Sequence, residues 1–375
     1  MSKIKLGLIG CGGMANAHQR RFGHLQDKLK LVAAVDVEAE RATAVAELFP
    51  GARSVTDFRE VLDDIDAVLI ALPHHLHHPV AKACLEAGKH VLLEKPMANS
   101  EEECLDLIDA SKKTDSVLMI AYCMRFHPLV TRMKELLDEK TYGDVFQVSI
   151  WTEQLTRYPE AHWASKAATL GGGQLFSHGC HYIDILLWYL GRPLQGTHIG
   201  TNFGTPWMEM EGTSNVSIQF ENGKLGYHFG TWGARGSRLK YSFHAHCTEG
   251  MIEADITGGQ LLVHTGKTRE TAGESLRGRS GGGRITAGGR IGEAHRKRNG
   301  SLPRLHRHRN PSADGRHRQS PGFARHLESL CSRARRSTRR SDRPGAGSGG
   351  VNKPRKKGGS GDFGVPFLAI YAGGP

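Results

Sequence analysis

The stretch that most restricts what this chain can fold into is residues 4–15, "IKLGLIGCGGMA", followed by "NAHQRRFGHL". A short apolar run meets a glycine-rich turn, and residues with helical spacing follow. Gly10 permits a tight turn, Gly12 lets backbone amides approach a diphosphate, and the small Ala15 lets the helix pack on the strand. The reading is a dinucleotide-binding turn made by Gly10, Gly12, Gly13 and Met14. Asp36 closes the next apolar run, 26 residues after Gly10, where a carboxylate can accept hydrogen bonds from ribose hydroxyls. A carboxylate there would also repel a 2′-phosphate, so NAD is expected over NADP.

The pattern then repeats. "LKLVAAVDV", "DAVLIALP", "HVLLEK" and "SVLMIAY" read as buried strands, and "EAERATAVAELF", "PVAKACLEAG" and "SEEECLDLIDASKKT" as the helices between them, the last opened by Ser100 with Glu103 three residues on. Strands alternating with helices of about ten residues predict a Rossmann-type, doubly wound parallel sheet over residues 1–122. From about 144 the texture changes to "DVFQVSIWTEQ", "SNVSIQFEN", "KLGYHFGTWG", "KYSFHAHCTEG" and "MIEADI", with one helix at "CHYIDILLWYLG". Residues 123–265 are therefore expected to form a second α/β domain with a large, open, mostly antiparallel sheet.

Composition matters chiefly for residues 266–375, which hold 20 arginines and 22 glycines and almost no apolar periodicity. Such a segment buries too little apolar surface to offset a backbone ordering cost of roughly 1–2 kcal/mol per residue, so a disordered tail is expected. The tail also carries the charge. Residues 1–265 hold 25 Lys and Arg against 31 Asp and Glu, a net of −6, whereas the tail holds 25 against 7, a net of +18. Two readings of it stand: a frameshift near residues 265–275 that replaced the native C-terminus, or an authentic basic arm for nucleic acid. Nucleic acid is not an expected partner unless the arm is authentic.

Seven scattered cysteines without a CxxC pair favour a reduced compartment. Nothing at the N-terminus resembles a signal peptide, and no apolar run reaches the roughly 18 residues of a membrane helix. A cytoplasmic protein without a membrane partner is the expectation.

Two histidine-rich stretches invite a metal reading. "ALPHHLHHP" offers His74, His75, His77 and His78, but no Asp, Glu or Cys lies close by to complete a ligand set, and a loop beside the cofactor is expected instead. "FSHGCHYI" with Asp184 next places His178 and His181 three apart, on one face of a helix. Spacing alone leaves a metal site, a proton relay and an ordinary helix start all open.

"AGKHVLLEKP" is more specific: Glu94, Lys95 and Pro96 follow a parallel strand, so they stand where open α/β sheets bind ligands. Together with "GLIGCGGMA", "MRFHP" and "GGGQLFSHGCHYIDILLWYLG", in this order, the chain resembles the Gfo/Idh/MocA family of NAD(P)-dependent sugar and polyol oxidoreductases over roughly residues 3–264. The resemblance implies a Rossmann domain followed by an α/β domain whose large sheet is often used for oligomer contact, hence a homo-oligomer and a sugar or polyol substrate.

Carried over residue by residue, the resemblance makes Lys95 the lysine near the nicotinamide and the reacting carbinol. An ammonium there can stabilise a developing alkoxide. It makes His181 the general acid or base, and an imidazole of ordinary pKa near roughly 6.5 suits proton transfer at neutral pH. Glu94 and Arg125 fall beside the cofactor, and the bond before Pro96 is frequently cis in the family. Tyr158, His162 and Trp163 precede the glycine turn that typically lines the sugar site, with Ser177, His178 and Asp184 as further lining. The chain departs from the pattern at Ser177, where many relatives carry an aspartate; a serine cannot supply that negative charge, and His178 either lines the site or joins the relay. Cys180 is expected to be a packed helix residue.

The resulting expectation is an NAD-dependent oxidoreductase acting on a secondary alcohol, with no metal. A redox-assisted lyase or glycosidase and a non-catalytic dinucleotide-binding regulator are the alternatives.

Overall fold

The computed structural model describes residues 2–266 and the backbone of residues 269–271, all within one compact unit. The expectations for the tail, its disorder, its frameshift and its nucleic-acid reading, lie outside the described residues.

The first sheet is built from β1 (Ile4–Ile9), α1 (Gly13–Phe22), β2 (Leu29–Val35), α2 (Ala39–Ala46), β3 (Arg53–Val55), β4 (Ala67–Ile70), α3 (His77–Glu86), β5 (His90–Leu93), α4 (Glu101–Lys113) and β6 (Leu118–Ile120). Its six strands run in the order β3-β2-β1-β4-β5-β6, and every pairing is parallel. The order turns back on itself between β1 and β4, which opens a crevice at their C-terminal ends. Strands covered on both faces read as continuous apolar runs: all four residues of β4 are buried. Phe22 and Leu25 pack on one face of the sheet, and Cys84, Leu85 and Leu107 on the other. At α4 the Ser100 hydroxyl accepts the Glu103 amide at 3.2 Å while the Glu103 carboxylate accepts the Asn99 amide at 2.9 Å, so two otherwise orphaned donors are satisfied.

The rest of the described chain is α5 (Pro128–Asp138), β7 (Val145–Glu153), α6 (Ala167–Leu170), α7 (Cys180–Leu190), β8 (Pro193–Thr201), β9 (Thr213–Phe220), β10 (Leu225–Thr231), β11 (Tyr241–Cys247), β12 (Gly250–Asp255), β13 (Gln260–His264) and β14 (Arg269–Thr271). The strands form an eight-stranded sheet in the order β14-β13-β12-β11-β7-β10-β9-β8, antiparallel except where β10 runs parallel to β7. One face packs on α5 and α7. Of the eleven residues of α7 all but Trp188 are buried, as expected of a helix that is apolar on every side. Burying Ile185 and Leu186 completely stabilises by about 1.5–3 kcal/mol each.

Four sequence expectations are corrected. The stretch at His74–Leu76 is a 3₁₀ turn that runs into α3 at His77, not a loop. The second part of the chain holds more than one helix: α5 precedes the sheet, with Pro128 at its first position and Leu129, Val130, Met133, Leu136 and Leu137 buried on one stripe. Two strands lack a sequence signal. β3 is three residues long, and β8 is exposed along almost its whole length, so neither strand carries the alternation that one buried face imposes. Finally, the "FSHGCHYI" helix begins earlier than its apolar run, with a π-turn over Leu175–Gly179.

Candidate active site

The glycine turn occupies the crevice between β1 and β4. Gly10 has φ +87°, and a Cβ there would lie 2.4 Å from the Ala71 carbonyl, so only glycine fits. Gly12 is the N-cap of α1 with no side-chain cap, and the Cβ positions of both Gly12 and Gly13 open onto free space. Uncapped amides at the start of a ten-residue helix, with an open approach, suit a diphosphate. Met14 is exposed on the same turn. Asp36 is buried, and its two oxygens accept the backbone N–H groups of Cys11 at 2.8 Å and Glu38 at 2.9 Å. It therefore braces the glycine turn, and carboxylate lone pairs remain for a ribose. These residues fit a dinucleotide.

At the C-terminal end of β5 the Lys95–Pro96 bond is cis. Lys95 Nζ donates to the Ser177 carbonyl at 3.1 Å, which brings the strand end against the π-turn that leads into α7. Ser177, which replaces the aspartate of the resemblance, thus meets the lysine through its main chain. The Glu94 side chain is buried against His18, with Glu94 Oε1 2.7 Å from His18 Nε2, while Glu94 Oε2 accepts the Lys95 amide at 3.2 Å. Burial pushes the Glu94 carboxyl up, but the His18 hydrogen bond and the nearby His18 and Lys95 charges outweigh it and hold the group below the usual carboxylate range.

His181 lies on the first turn of α7, buried, with its ring edge-on to Tyr122 at 5.9 Å and 6.3 Å from the His178 ring. One turn on, Asp184 is 2 % exposed and accepts both Arg125 Nε, at 2.6 Å, and Nη2, at 2.7 Å. Arg125 also covers the Trp188 ring. The two residues placed by sequence with the substrate and the cofactor are partners of each other, and the pair fastens α7 to the turn at Cys123–Phe126.

His178 is half-buried in an aromatic and polar cage. Its Nε2 lies 3.4 Å from the Tyr182 hydroxyl and 3.3 Å from that of Tyr241, and its Nδ1 lies 3.4 Å from the Gln174 amide nitrogen. Cys180 is buried, and burial pushes its thiol up to about 12, so it holds no thiolate at neutral pH. Tyr158 stacks on His162 at 4.7 Å, and the Lys95 charge opposes the upward push that burial gives its hydroxyl. Trp163 meets His74 edge-on at 4.9 Å.

The four histidines of the first stretch do not converge. His74 Nδ1 faces the Leu170 carbonyl at 2.8 Å, His75 the Thr169 carbonyl at 3.4 Å, and His78 the Asp106 carboxylate at 2.7 Å. His77 sits between the carbonyls of Pro96 and Leu72, at 2.6 and 2.9 Å. Burial and the Lys95 charge press His74 down to about 2, so it is neutral. Among the described residues no group of three or more His, Cys, Asp or Glu side chains could hold a metal.

Sequence reading missed His18, Tyr122, Tyr241 and Trp232, whose ring lies 6.4 Å from that of His178. Only His18 carried a signal: with Ala15 and Phe22 it makes the buried stripe of α1.

A model described as an oxidoreductase family with an NAD-binding Rossmann fold matches residues 4–122, and that of the Gfo/Idh/MocA C-terminal domain matches residues 130–253. The chain is 29 % identical over 288 residues to levoglucosan dehydrogenase of Pseudarthrobacter phenanthrenivorans, covering 67 % of this chain and 73 % of the relative. It is 30 % identical over 227 residues to inositol 2-dehydrogenase 2 of Saccharopolyspora erythraea, covering 59 % of this chain and 65 % of the relative, just under two thirds. A levoglucosan dehydrogenase structure in complex with NADH superposes with a TM-score of 0.66 at 28 % identity, over 72 % of this chain and 79 % of that one. The WlbA dehydrogenase from Bordetella pertussis, with a TM-score of 0.65 at 22 % identity over 71 % and 78 % of the two chains, shares the fold.

Proposed function

The chain belongs to the Gfo/Idh/MocA family of NAD-binding oxidoreductases, and on that premise we propose that it oxidises a secondary alcohol of a sugar or polyol, with Lys95 and His181 as its catalytic pair. The observation that carries this reading is the junction of Lys95 Nζ with the Ser177 carbonyl. It sets an ammonium at the C-terminal end of a parallel strand, against the turn that delivers His181.

The amides of Gly12 and Gly13 hold the cofactor diphosphate, and Asp36 takes a ribose hydroxyl. When bound, the nicotinamide supplies the hydride acceptor. Lys95 donates a hydrogen bond to the substrate hydroxyl oxygen and stabilises the negative charge that grows there as the C–H bond breaks. His181 accepts the hydroxyl proton through an imidazole nitrogen. Tyr158 and Trp163 offer ring faces to the apolar side of a sugar, and His178 lines the same wall.

The reading extends to a homo-oligomer formed through the eight-stranded sheet. Its edge strand β8 exposes Leu194 and Ile199 at 61 % and 74 %, and Phe146 on β7 is 51 % exposed. Light scattering of the purified chain measures it.

The test is NADH formation from levoglucosan, myo-inositol, glucose and galactose, each with NAD and with NADP. The expected result is NAD reduction by at least one of them, abolished in Lys95→Ala and His181→Ala with NADH binding retained. Wild-type turnover by Lys95→Ala refutes the assignment.

A further inference from the structure

Two fully buried histidines grip the Glu94–Lys95–Pro96 turn from opposite sides. From α1, His18 Nε2 lies 2.7 Å from Glu94 Oε1, and the other oxygen of that carboxylate accepts the Lys95 amide at 3.2 Å. From α3, His77 Nδ1 lies 2.6 Å from the Pro96 carbonyl. Neither histidine belongs to the catalytic pair or to the residues that would touch a dinucleotide. His18 differs from an ordinary buried partner in its location: it stands on the helix whose first residues are the glycine turn. One rigid helix thus carries the diphosphate amides at its N-terminus and, further along, the donor that fixes the carboxylate beside Lys95.

We propose that His18 is a positioning residue for hydride transfer: by holding Glu94 it sets the backbone from which Lys95 reaches the substrate oxygen, and it ties that position to the helix that binds the cofactor. The inference rests on the reading of Lys95 given above. A lysine side chain has four rotatable carbons, so Nζ is only as well placed as the backbone at its root and the Ser177 carbonyl at its tip. The His18–Glu94 contact is a hydrogen bond to a charged group in a dry interior, which makes it short and directional. Misplacing a reacting group by about 1 Å can cost on the order of 10²-fold in rate. A pair that only stabilised the fold would leave the rate of the folded enzyme unchanged.

The test compares His18→Leu with His18→Gln in the full chain. The glutamine amide can donate from near the position of the imidazole Nε2; leucine cannot. NADH fluorescence titration checks folding and cofactor binding. The fastest substrate among levoglucosan, myo-inositol and glucose, also deuterated at the reacting carbon, gives kcat, KM and the isotope effect. The expected result for His18→Leu is a kcat lower by about 10- to 100-fold, KM within about threefold, and an isotope effect on kcat that rises as hydride transfer becomes limiting. His18→Gln keeps kcat within about threefold of wild type. Should the leucine variant not fold, His18→Asn, whose amide is too short to reach Glu94, takes its place under the same criteria. The proposal is overturned if the variant lacking the donor binds NADH and retains kcat, or if glutamine fails to rescue. Lys95→Ala separates the two readings. If it is slow while His18→Leu is not, the positioning role alone falls; if Lys95→Ala turns over normally, both fall.

Discussion

Removing Arg125 should cost more stability than removing Asp184, although the two belong to one ion pair. The asymmetry comes from burial: the Asp184 side chain is 2 % exposed and that of Arg125 is 32 % exposed. In Arg125→Ala a carboxylate loses both bonds of a bidentate partner, at 2.6 and 2.7 Å, where water can hardly reach it. Breaking a buried pair in this way costs about 3–5 kcal/mol. In Asp184→Ala the guanidinium can turn its exposed third toward solvent and keep its contact with Trp188, so the loss should fall to about 1–2 kcal/mol. For a domain of this size each kcal/mol shifts Tm by roughly 2–4 °C, so Arg125→Ala should melt about 6–20 °C low and Asp184→Ala about 2–8 °C low. Calorimetry of the two variants and of Arg125→Met/Asp184→Leu measures this, and the double variant should recover most of the loss because it removes both charges together. Equal losses, or a larger one for Asp184→Ala, would refute the argument from burial. Activity supplies a second readout. Asp184 is one turn from His181, so a variant assayed well below its Tm should still show a lower kcat if the pair also sets the angle of that ring.

Acid should destabilise the fold well before its carboxylates titrate. Burial presses His74 down to about 2, His228 to about 3 and His127 to about 4, all neutral in the folded chain, while the unfolded chain protonates them near 6.5. The unfolded state therefore binds more protons below that pH. Stability is complete above pH 6.5 and declines as pH falls from there toward 4, by about 1.4 kcal/mol per pH unit for each histidine; an unchanged Tm between pH 7 and 5 would contradict it. Gly10→Ala should abolish soluble, NADH-binding protein, since its Cβ meets the Ala71 carbonyl and its φ is +87°. Asp36→Ala should raise the NADH dissociation constant by about tenfold or more, because it loses the Cys11 amide as well as the ribose, and titration by fluorescence measures it. His178→Ala should raise KM for the alcohol with kcat within about threefold, as its ring nitrogens face hydroxyls and an amide at 3.3–3.4 Å; a large fall in kcat would place it in the proton relay instead.

The Rossmann sheet could be read from residues because its signals are local. Each strand is a short apolar run, each helix follows within a few residues, and the glycine turn has a steric reason at Gly10 that does not depend on the rest of the chain. The place of Lys95 just past the end of β5 was legible for the same reason: the end of a parallel strand is a position that sequence order defines. β8 was not legible, because a strand that buries neither face has no pattern to leave. α5 was legible in principle, with Pro128 at its start and a buried stripe behind it, but it fell between the two patterned regions.

Side-chain partners across the fold were the hardest to foresee. Residues 125 and 184, 18 and 94, and 95 and 177 are joined by hydrogen bonds that span 59, 76 and 82 residues of chain. No periodicity encodes such pairs, and each of them adds a partner: Asp184 stands in a buried ion pair with Arg125, Glu94 bonds His18, and the Ser177 carbonyl accepts from Lys95. The last of these bears on the chemistry. The main-chain carbonyl that orients Lys95 is present whatever residue stands at 177, so the serine keeps that hydrogen bond and omits only a side-chain charge. Ser177→Asp keeps that carbonyl and adds only the side-chain charge, so kcat should fall to the extent that the new carboxylate competes with the substrate oxygen for the Lys95 ammonium. A gain in kcat would mean that the serine is a loss this chain tolerates rather than the residue its site is built around.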